Sequence, residues 1–131
     1  MKYLIDTHTF LWYNSGDTNL SNLAQDLITD STNEIFVSIA SLWEISIKNS
    51  LGKLNIAGNY QQIFDDITEN SIEILPITFT HTVIQNQLTF HHRDPFDRMI
   101  ISQAIAESMS IISKDEVFDN YLINRLIRRE W

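Results

Sequence analysis

Four acidic residues, far apart in the sequence, are the ones whose type and position could do chemistry. Asp6 and Asp115 each follow a short apolar run with the character of a buried strand. Glu44 and Asp97 lie in the predicted first turns of two helices. Carboxylates that meet in one pocket repel each other, and they stay ionised only with cations between them. If the four segments converge, the sequence predicts a cation site.

The available ligand types indicate which cation and which reaction to expect. The chain has no cysteine, and the adjacent His91 and His92 are poorly placed to share a zinc ion. Oxygen ligands favour Mg²⁺ or Mn²⁺, which can orient and deprotonate an attacking water and offset charge on a leaving oxygen. The predicted reaction is phosphodiester hydrolysis, with Thr7 or Ser41 supporting the acids. The predicted metal ligands are Asp6, Glu44, Asp97 and Asp115.

The segment Arg93–Ala104 predicts the helix that carries Asp97. Pro95 suits the first helical position, and Asp94 can accept hydrogen bonds from free N–H groups of the first turn. Helical spacing places Asp97 at the top of the buried stripe, where a carboxylate needs a partner. The alternative for both aspartates is a favourable interaction with the positive end of the helix.

Local structure alone could also explain Glu44. Ser41 and Glu44 have the spacing of a capping box, with the helix beginning at Ser41. Glu44 and Lys48 form a favourable pair one helical turn apart. Glu44 is thus a candidate ligand only because other acids are expected nearby.

Short apolar runs alternate with pairs of helical segments along the chain. This order predicts an α/β fold with three layers, in which helices cover both faces of a central, short parallel sheet. Ligands in such folds bind beyond the carboxyl ends of the strands, where the four acids are expected. The tail 117–131, including apolar Ile123 and Leu126, fits either a helix or an edge strand.

Length and charge limit the possible functions. The 131 residues predict a single domain over 1–131, and the net charge of −8 argues against holding nucleic acid through bulk electrostatics. A nuclease is compatible, because divalent cations invert the local field, and acidity also suits a basic partner. The first residues do not resemble a signal peptide and no apolar run is long enough to span a membrane, so we expect a cytoplasmic protein.

Four segments resemble, in the same order, the motifs of the PIN-domain ribonucleases, and within them the VapC-type toxins of bacterial toxin–antitoxin pairs. The resemblance covers nearly the whole chain and implies a nuclease dependent on Mg²⁺ or Mn²⁺, with Asp6, Glu44, Asp97 and Asp115 at the site. It also implies a homodimer and a small antitoxin that covers the site, often by delivering a basic side chain to the acids. The four segments are Tyr3–His8, Ser38–Ile45, His92–Ala104 and Ser113–Asp115.

An acidic chain needs local cations to hold RNA, and Lys48, Arg93 and Arg98 are the predicted contacts, with Thr7 and Ser41 close by. Lys53 is a fourth candidate near the same edge, but a solvated surface position explains it better. Two other functions fit parts of the pattern. In a Mg²⁺-dependent phosphatase, Asp6 would be a covalent nucleophile, but such enzymes usually have a second aspartate two residues later, where this chain has His8. In an inactive scaffold, the acids would only bind a basic partner.

Overall fold

The computed structural model describes residues 1–122, 125 and 127–131. Helices and strands alternate in the predicted order, and the element bounds are as follows. The strands are β1 Lys2–Ile5, β2 Glu34–Ser38, β3 Ile72–Leu75, β4 Ser110–Ile112 and β5 Arg129–Glu130. The helices are α1 Thr7–Ser15, α2 Asn22–Thr29, α3 Ile39–Ser50, α4 Gln62–Glu69, α5 Phe79–Gln87, α6 Pro95–Glu107 and α7 Asp119–Leu122, with a 3-10 turn at Glu116–Phe118.

The strands form one sheet in the order β3-β2-β1-β4-β5, and every neighbouring pair is parallel. The central strand β1 pairs with β2 on one side and β4 on the other, so that Ile5 lies between Val37 and Ile112. The carboxyl ends of these three strands are therefore adjacent. The chain adds β2 and β3 on one side of β1 and then crosses over to add β4 and β5 on the other side. This reversal of strand order places the usual ligand site of an open parallel sheet at this edge.

Apolar side chains cover the sheet on both faces. Successive residues of a strand point to opposite sides, and Ile5 packs with Phe10 and Ile45 while Leu4 packs with Ile100. Helices α1 to α4 contribute to the first cluster, and α6 and α7 contribute to the second. The predicted three-layer α/β fold is confirmed.

The start of α3 differs from the prediction. The helix begins at Ile39, because Ser38 Oγ accepts a hydrogen bond from the backbone N–H of Ala40 at 3.0 Å. Ser41 is a buried residue inside the helix, and Glu44 lies in its second turn. The predicted capping box of Ser41 and Glu44 is therefore wrong.

The tail combines the two structures that its pattern left open. It forms the 3-10 turn, the short helix α7 and the edge strand β5, while Ile123 and Leu126 lie outside the described residues. No helix in the described part of the chain has the length and apolar character needed to cross a membrane.

Candidate active site

Asp6 lies at the carboxyl end of β1, where it also caps α1. Its Oδ1 accepts a hydrogen bond from the backbone N–H of Thr9 at 2.9 Å, and its Oδ2 accepts one from Ser113 Oγ at 2.6 Å. Only 6% of Asp6 is exposed. Burial raises the pKa of Asp6, and the hydrogen bonds from Ser113 and Thr9 oppose that rise.

Glu44 reaches the same edge from α3, and both of its carboxylate oxygens have partners. Thr7 Oγ1 donates to Glu44 Oε1 at 2.7 Å, and Lys48 Nζ lies 2.8 Å from Oε2. Thr7 Oγ1 is also 2.9 Å from Ser41 Oγ, so these two hydroxyls support Glu44. The predicted pairing of Glu44 with Lys48 is confirmed, and this hydrogen bond raises the pKa of Lys48.

Asp97 shows that the acids converge. Burial, followed by the carboxylates of four other acids, raises the pKa of Asp97 to about 8. These charges reach Asp97 from the residue after β1, from α3, from the residue that caps α6 and from the segment after β4. The four acids, in order of decreasing effect, are Asp94, Asp6, Glu44 and Asp115.

His92 lies between two of these acids. Its Nε2 is 3.1 Å from Asp97 Oδ2 and 3.1 Å from Asp115 Oδ2. Within the described residues, these three side chains form the one set whose ligand-type atoms all lie within 4.8 Å of one another. Asp115 Oδ1 is occupied separately, because it accepts the backbone N–H of Val117 at the start of the 3-10 turn.

The other ring nitrogen of His92 indicates its role. Nδ1 accepts a hydrogen bond from the backbone N–H of Asp94 at 3.2 Å, so that nitrogen carries no proton. In the neutral ring the proton then lies on Nε2, which forms a hydrogen bond with Asp115 Oδ2. His92 is therefore a hydrogen-bond donor to Asp115 in this arrangement, and the carboxylates are the better candidates for metal ligands.

Arg98 and Tyr121 hold the loop that carries His92. Arg98 is buried, and its guanidinium donates to the backbone carbonyls of Gln85 and Thr89 at 3.1 Å each. The Tyr121 hydroxyl oxygen accepts the backbone N–H groups of His91 and His92 at 2.9 and 2.7 Å. The loop before α6 is thus anchored to α6 and to α7.

The lysine and arginine residues predicted to contact RNA differ in their positions. Arg98 is already engaged with the chain itself, which contradicts its predicted contact with RNA. Arg93 is exposed in the loop before α6, and the Lys48 side chain is about half exposed beside Glu44. Lys48 also lies close enough to Asp94 and Asp97 for their charges to raise its pKa, after the larger effect of Glu44.

Sequence reasoning missed three residues that organise the site. His92 was considered only as a zinc ligand, while Ser113 and Tyr121 received no role. Ser113 lies two residues before Asp115, at the end of a predicted strand. A hydroxyl in that position was the available signal that it could bond to an acid of the site. Nothing in the sequence indicates the contacts of Tyr121, because they join segments 29 and 30 residues apart.

The residues present fit a divalent cation. Several carboxylates lie close enough to Asp97 for their charges to raise its pKa, after the larger effect of burial. Within the described residues, the lysine or arginine paired with these acids is Lys48, on Glu44. Hard oxygen donors at such an excess of negative charge suit Mg²⁺ or Mn²⁺.

The fold and the site define an α/β protein with a carboxylate cluster at the carboxyl edge of a parallel sheet. Residues 3–122 match the model of the PIN domain family. The chain therefore belongs to the PIN domain family. No curated protein sequence matches it significantly.

Solved structures show the same fold at low sequence identity. VapBC2 from Rickettsia felis, bound to a DNA fragment from their promoter, is 20% identical with a TM-score of 0.69, over 100% of this chain and 99% of that one. FitAcB from Neisseria gonorrhoeae is 15% identical with a TM-score of 0.63, over 98% and 96%. A domain of a protein of unknown function from Methanocaldococcus jannaschii is also 15% identical, with a TM-score of 0.56, over 99% and 89%.

Proposed function

We propose that this chain, as one domain over residues 1–131, is a metal-dependent endoribonuclease that acts as the toxin of a toxin–antitoxin pair in the cytoplasm. The observation that carries the proposal is the position of Asp97, whose pKa is raised by burial, by nearby Asp94 and by three acids from distant parts of the chain, Asp6, Glu44 and Asp115. Membership of the PIN domain family and the motifs shared with VapC-type toxins support the same function.

Asp6, Glu44, Asp97 and Asp115 are the proposed ligands of Mg²⁺ or Mn²⁺. When bound, the cation would activate a water and offset charge on the leaving oxygen of the phosphodiester. The chain's own hydrogen bonds orient these ligands. Ser113 holds Asp6, and Thr7 holds Glu44. His92 orients Asp115 by donating to it, and its Nε2 also lies 3.1 Å from Asp97 Oδ2.

The environment of Asp6 favours a ligand over a covalent nucleophile. Both of its oxygens accept hydrogen bonds, and 6% of the residue is exposed. A nucleophile must reach the phosphorus in line with the leaving group. A phosphatase that uses Asp6 in this way is therefore the weaker alternative.

We propose Lys48 and Arg93 as contacts to the RNA backbone. Both lie at the edge that carries the acids, and Arg93 is exposed. An acidic protein with a net charge of −8 can hold a polyanion only where cations are concentrated locally. Thr7 and Ser41 are buried beneath Glu44 and are proposed to support the ligand and not to touch the substrate.

A protein partner is proposed as well, because apolar side chains are exposed next to the acids. Trp43 is 60% exposed, and its ring packs edge-on against Phe96 with centroids 5.4 Å apart. These two residues line an apolar cavity of about 220 Å³ together with Ile77 and Met99. Exposed apolar patches mark interaction sites in many proteins. We propose that an antitoxin, or the second copy in a homodimer, covers this surface.

RNA cleavage by the purified chain tests the function. Labelled transfer and ribosomal RNAs are incubated with Mn²⁺, with a chelator, and with the Asp97→Asn variant. We expect cleavage that requires Mn²⁺ and falls by at least ~10²-fold in the variant, because a metal ligand is lost. Asp65→Asn, which removes the same charge from an exposed position on α4, is the matched control and is expected to keep full activity.

A folded, metal-bound chain that cleaves none of these RNAs would contradict the proposal and would favour the inactive scaffold. Size exclusion with the product of the neighbouring gene tests the antitoxin separately. Failure of the two proteins to form a complex would count against the toxin–antitoxin assignment but not against the nuclease.

A further inference from the structure

A cavity of about 220 Å³ opens directly beside two of the proposed metal ligands. It is lined by Asp6 and Asp115, and also by three residues to which the proposed reaction gives no role. These residues are His8, Trp12 and Lys114. The cavity therefore shares two acids with the proposed metal site, and a ligand in it would lie beside them.

Aromatic rings form one part of this cavity. The rings of His8 and Trp12 have centroids 5.6 Å apart and are tilted by 43°. On α1, Trp12 also packs against Trp131, with centroids 5.8 Å apart. Trp12 is partly exposed and His8 is exposed, so both rings are available to a ligand. The contact with Trp131 fixes the position of Trp12 before any ligand binds.

The positively charged side chain of Lys114 forms another part of the cavity wall. Lys114 is exposed, and its Nζ lies 5.8 Å from the centroid of the Trp12 ring. Its neighbours in sequence fix its backbone, because Ser113 bonds to Asp6 and the Asp115 N–H bonds to Ser113. The backbone of this lysine is thus fixed beside the acids, in a chain with a net charge of −8.

We propose that this cavity binds one nucleotide of single-stranded RNA next to the cleaved phosphodiester. Proteins bind single strands by combining aromatic rings, on which bases stack, with cations that follow the phosphates. Trp12 and His8 supply the stacking surface, and Lys114 supplies the phosphate contact. The inference rests on the proposed nuclease function and adds a base-binding subsite to it.

A protein partner is the competing occupant. The apolar cavity around Trp43 and Phe96 has the character of a protein-binding surface, whereas the cavity at Trp12 has acids, a lysine and an imidazole on its walls. Stacking rings beside a phosphate-binding cation favour a nucleotide. Binding of the partner protein to the Trp12→Leu variant, measured beside RNA affinity, distinguishes the two occupants.

RNA affinity tests the subsite separately from cleavage. A fluorescein-labelled single-stranded hexaribonucleotide is titrated with the chain, with Ca²⁺ in place of Mn²⁺ to limit cleavage, and its anisotropy is measured. Trp12→Leu is expected to weaken binding roughly 5- to 150-fold, the range for losing one stacked base, and Trp12→Phe to restore most of it. Lys114→Met is expected to weaken binding and to reduce the salt dependence by about one phosphate contact.

Two variants serve as matched controls. Phe64→Leu removes an exposed aromatic ring from α4, and Lys53→Met removes an exposed cation after α3. Both are expected to bind RNA like the wild type. Thermal melts of the Trp12 variants show whether they are folded, and the Trp12→Phe variant keeps the test decisive if Trp12→Leu unfolds.

Three results would overturn the subsite. Unchanged RNA affinity in Trp12→Leu and Lys114→Met, with a wild type that cleaves RNA, would contradict the subsite alone. Unchanged RNA affinity combined with weaker binding of the partner protein would assign the cavity to that partner. A wild type that neither binds nor cleaves RNA would contradict both the subsite and the nuclease.

Discussion

The Ser113 hydroxyl donates a hydrogen bond of 2.6 Å to Asp6 Oδ2 and thereby joins the ends of β1 and β4. The same hydroxyl oxygen accepts the backbone N–H of Asp115 at 3.0 Å. One serine thus orients one acid and fixes the backbone of another. Because burial raises the pKa of Asp6, its ionised form depends on this donor.

Replacing Ser113 with alanine is expected to weaken the site. Loss of the donor raises the pKa of Asp6 further, and losing a supporting hydrogen bond of this kind typically lowers metal affinity ~10- to 100-fold. Calorimetric titration with Mn²⁺ at neutral pH measures the change. Ser113→Thr keeps the hydroxyl and is the control. Equal Mn²⁺ affinity of Ser113→Ala and the wild type would contradict the role of this bond.

The stability of the metal-free chain is expected to depend on Asp97. Its pKa is about 8 in the folded chain, through burial and then neighbouring acids, against an ordinary value of 3.8. The folded state therefore holds this proton more tightly than the unfolded state. Stability contributed by the protonated group is present below the unfolded pKa and is lost as the pH rises through about 8. Thermal melts in a chelator between about pH 5 and about pH 8 measure this loss.

The Asp97→Asn variant isolates that contribution, because all other titrating groups are shared with the wild type. We expect the melting temperature of the wild type to fall more steeply with pH than that of the variant. Added Mn²⁺ is expected to recover most of the loss at pH 8 in the wild type only, since a cation replaces the proton among the acids. If the melting temperatures of the two proteins depend on pH in the same way, the raised pKa of Asp97 in the folded chain is wrong.

Arg98 is expected to matter for stability. Arg98→Leu removes the hydrogen bonds that the buried guanidinium donates to the carbonyls of Gln85 and Thr89, and hydrogen bonds of a charged group contribute about 1.5–3 kcal/mol each. Urea unfolding measures the free energy of unfolding. Arg93→Leu, at an exposed position five residues earlier, is the control and is expected to change stability little. If both variants are as stable as the wild type, the anchoring role of Arg98 is wrong.

The sequence predicts the fold well because its local signals agree. The apolar runs before Asp6 and Asp115 are β1 and β4, and Asp94 and Pro95 begin α6 as expected. The start of α3 was misplaced because Ser38 and Ser41 both suit a cap. The end of β2 decides which serine caps the helix. Ser38 is the last residue of that strand, and α3 follows it directly.

The site is less accessible to sequence reasoning. Acids at the ends of predicted strands indicate the cluster, but the contacts that orient them join distant segments. Ser113 and Asp6 are 107 residues apart, and His92 reaches Asp115 over 23 residues. The prediction for Arg98 was wrong because a charged residue is usually expected at the surface, whereas here the guanidinium donates to the carbonyls of Gln85 and Leu88 at the end of α5 and is buried.

Mn²⁺ binding to the purified chain tests the convergence of the acids most directly. Calorimetric titration at neutral pH compares the wild type, Asp97→Asn and the control Asp65→Asn. We expect Mn²⁺ to bind the wild type and Asp65→Asn alike, and to bind Asp97→Asn at least ~10-fold more weakly. A wild type that binds no Mn²⁺, or an Asp97→Asn variant that binds it as tightly as the wild type, would contradict a metal site built from these carboxylates.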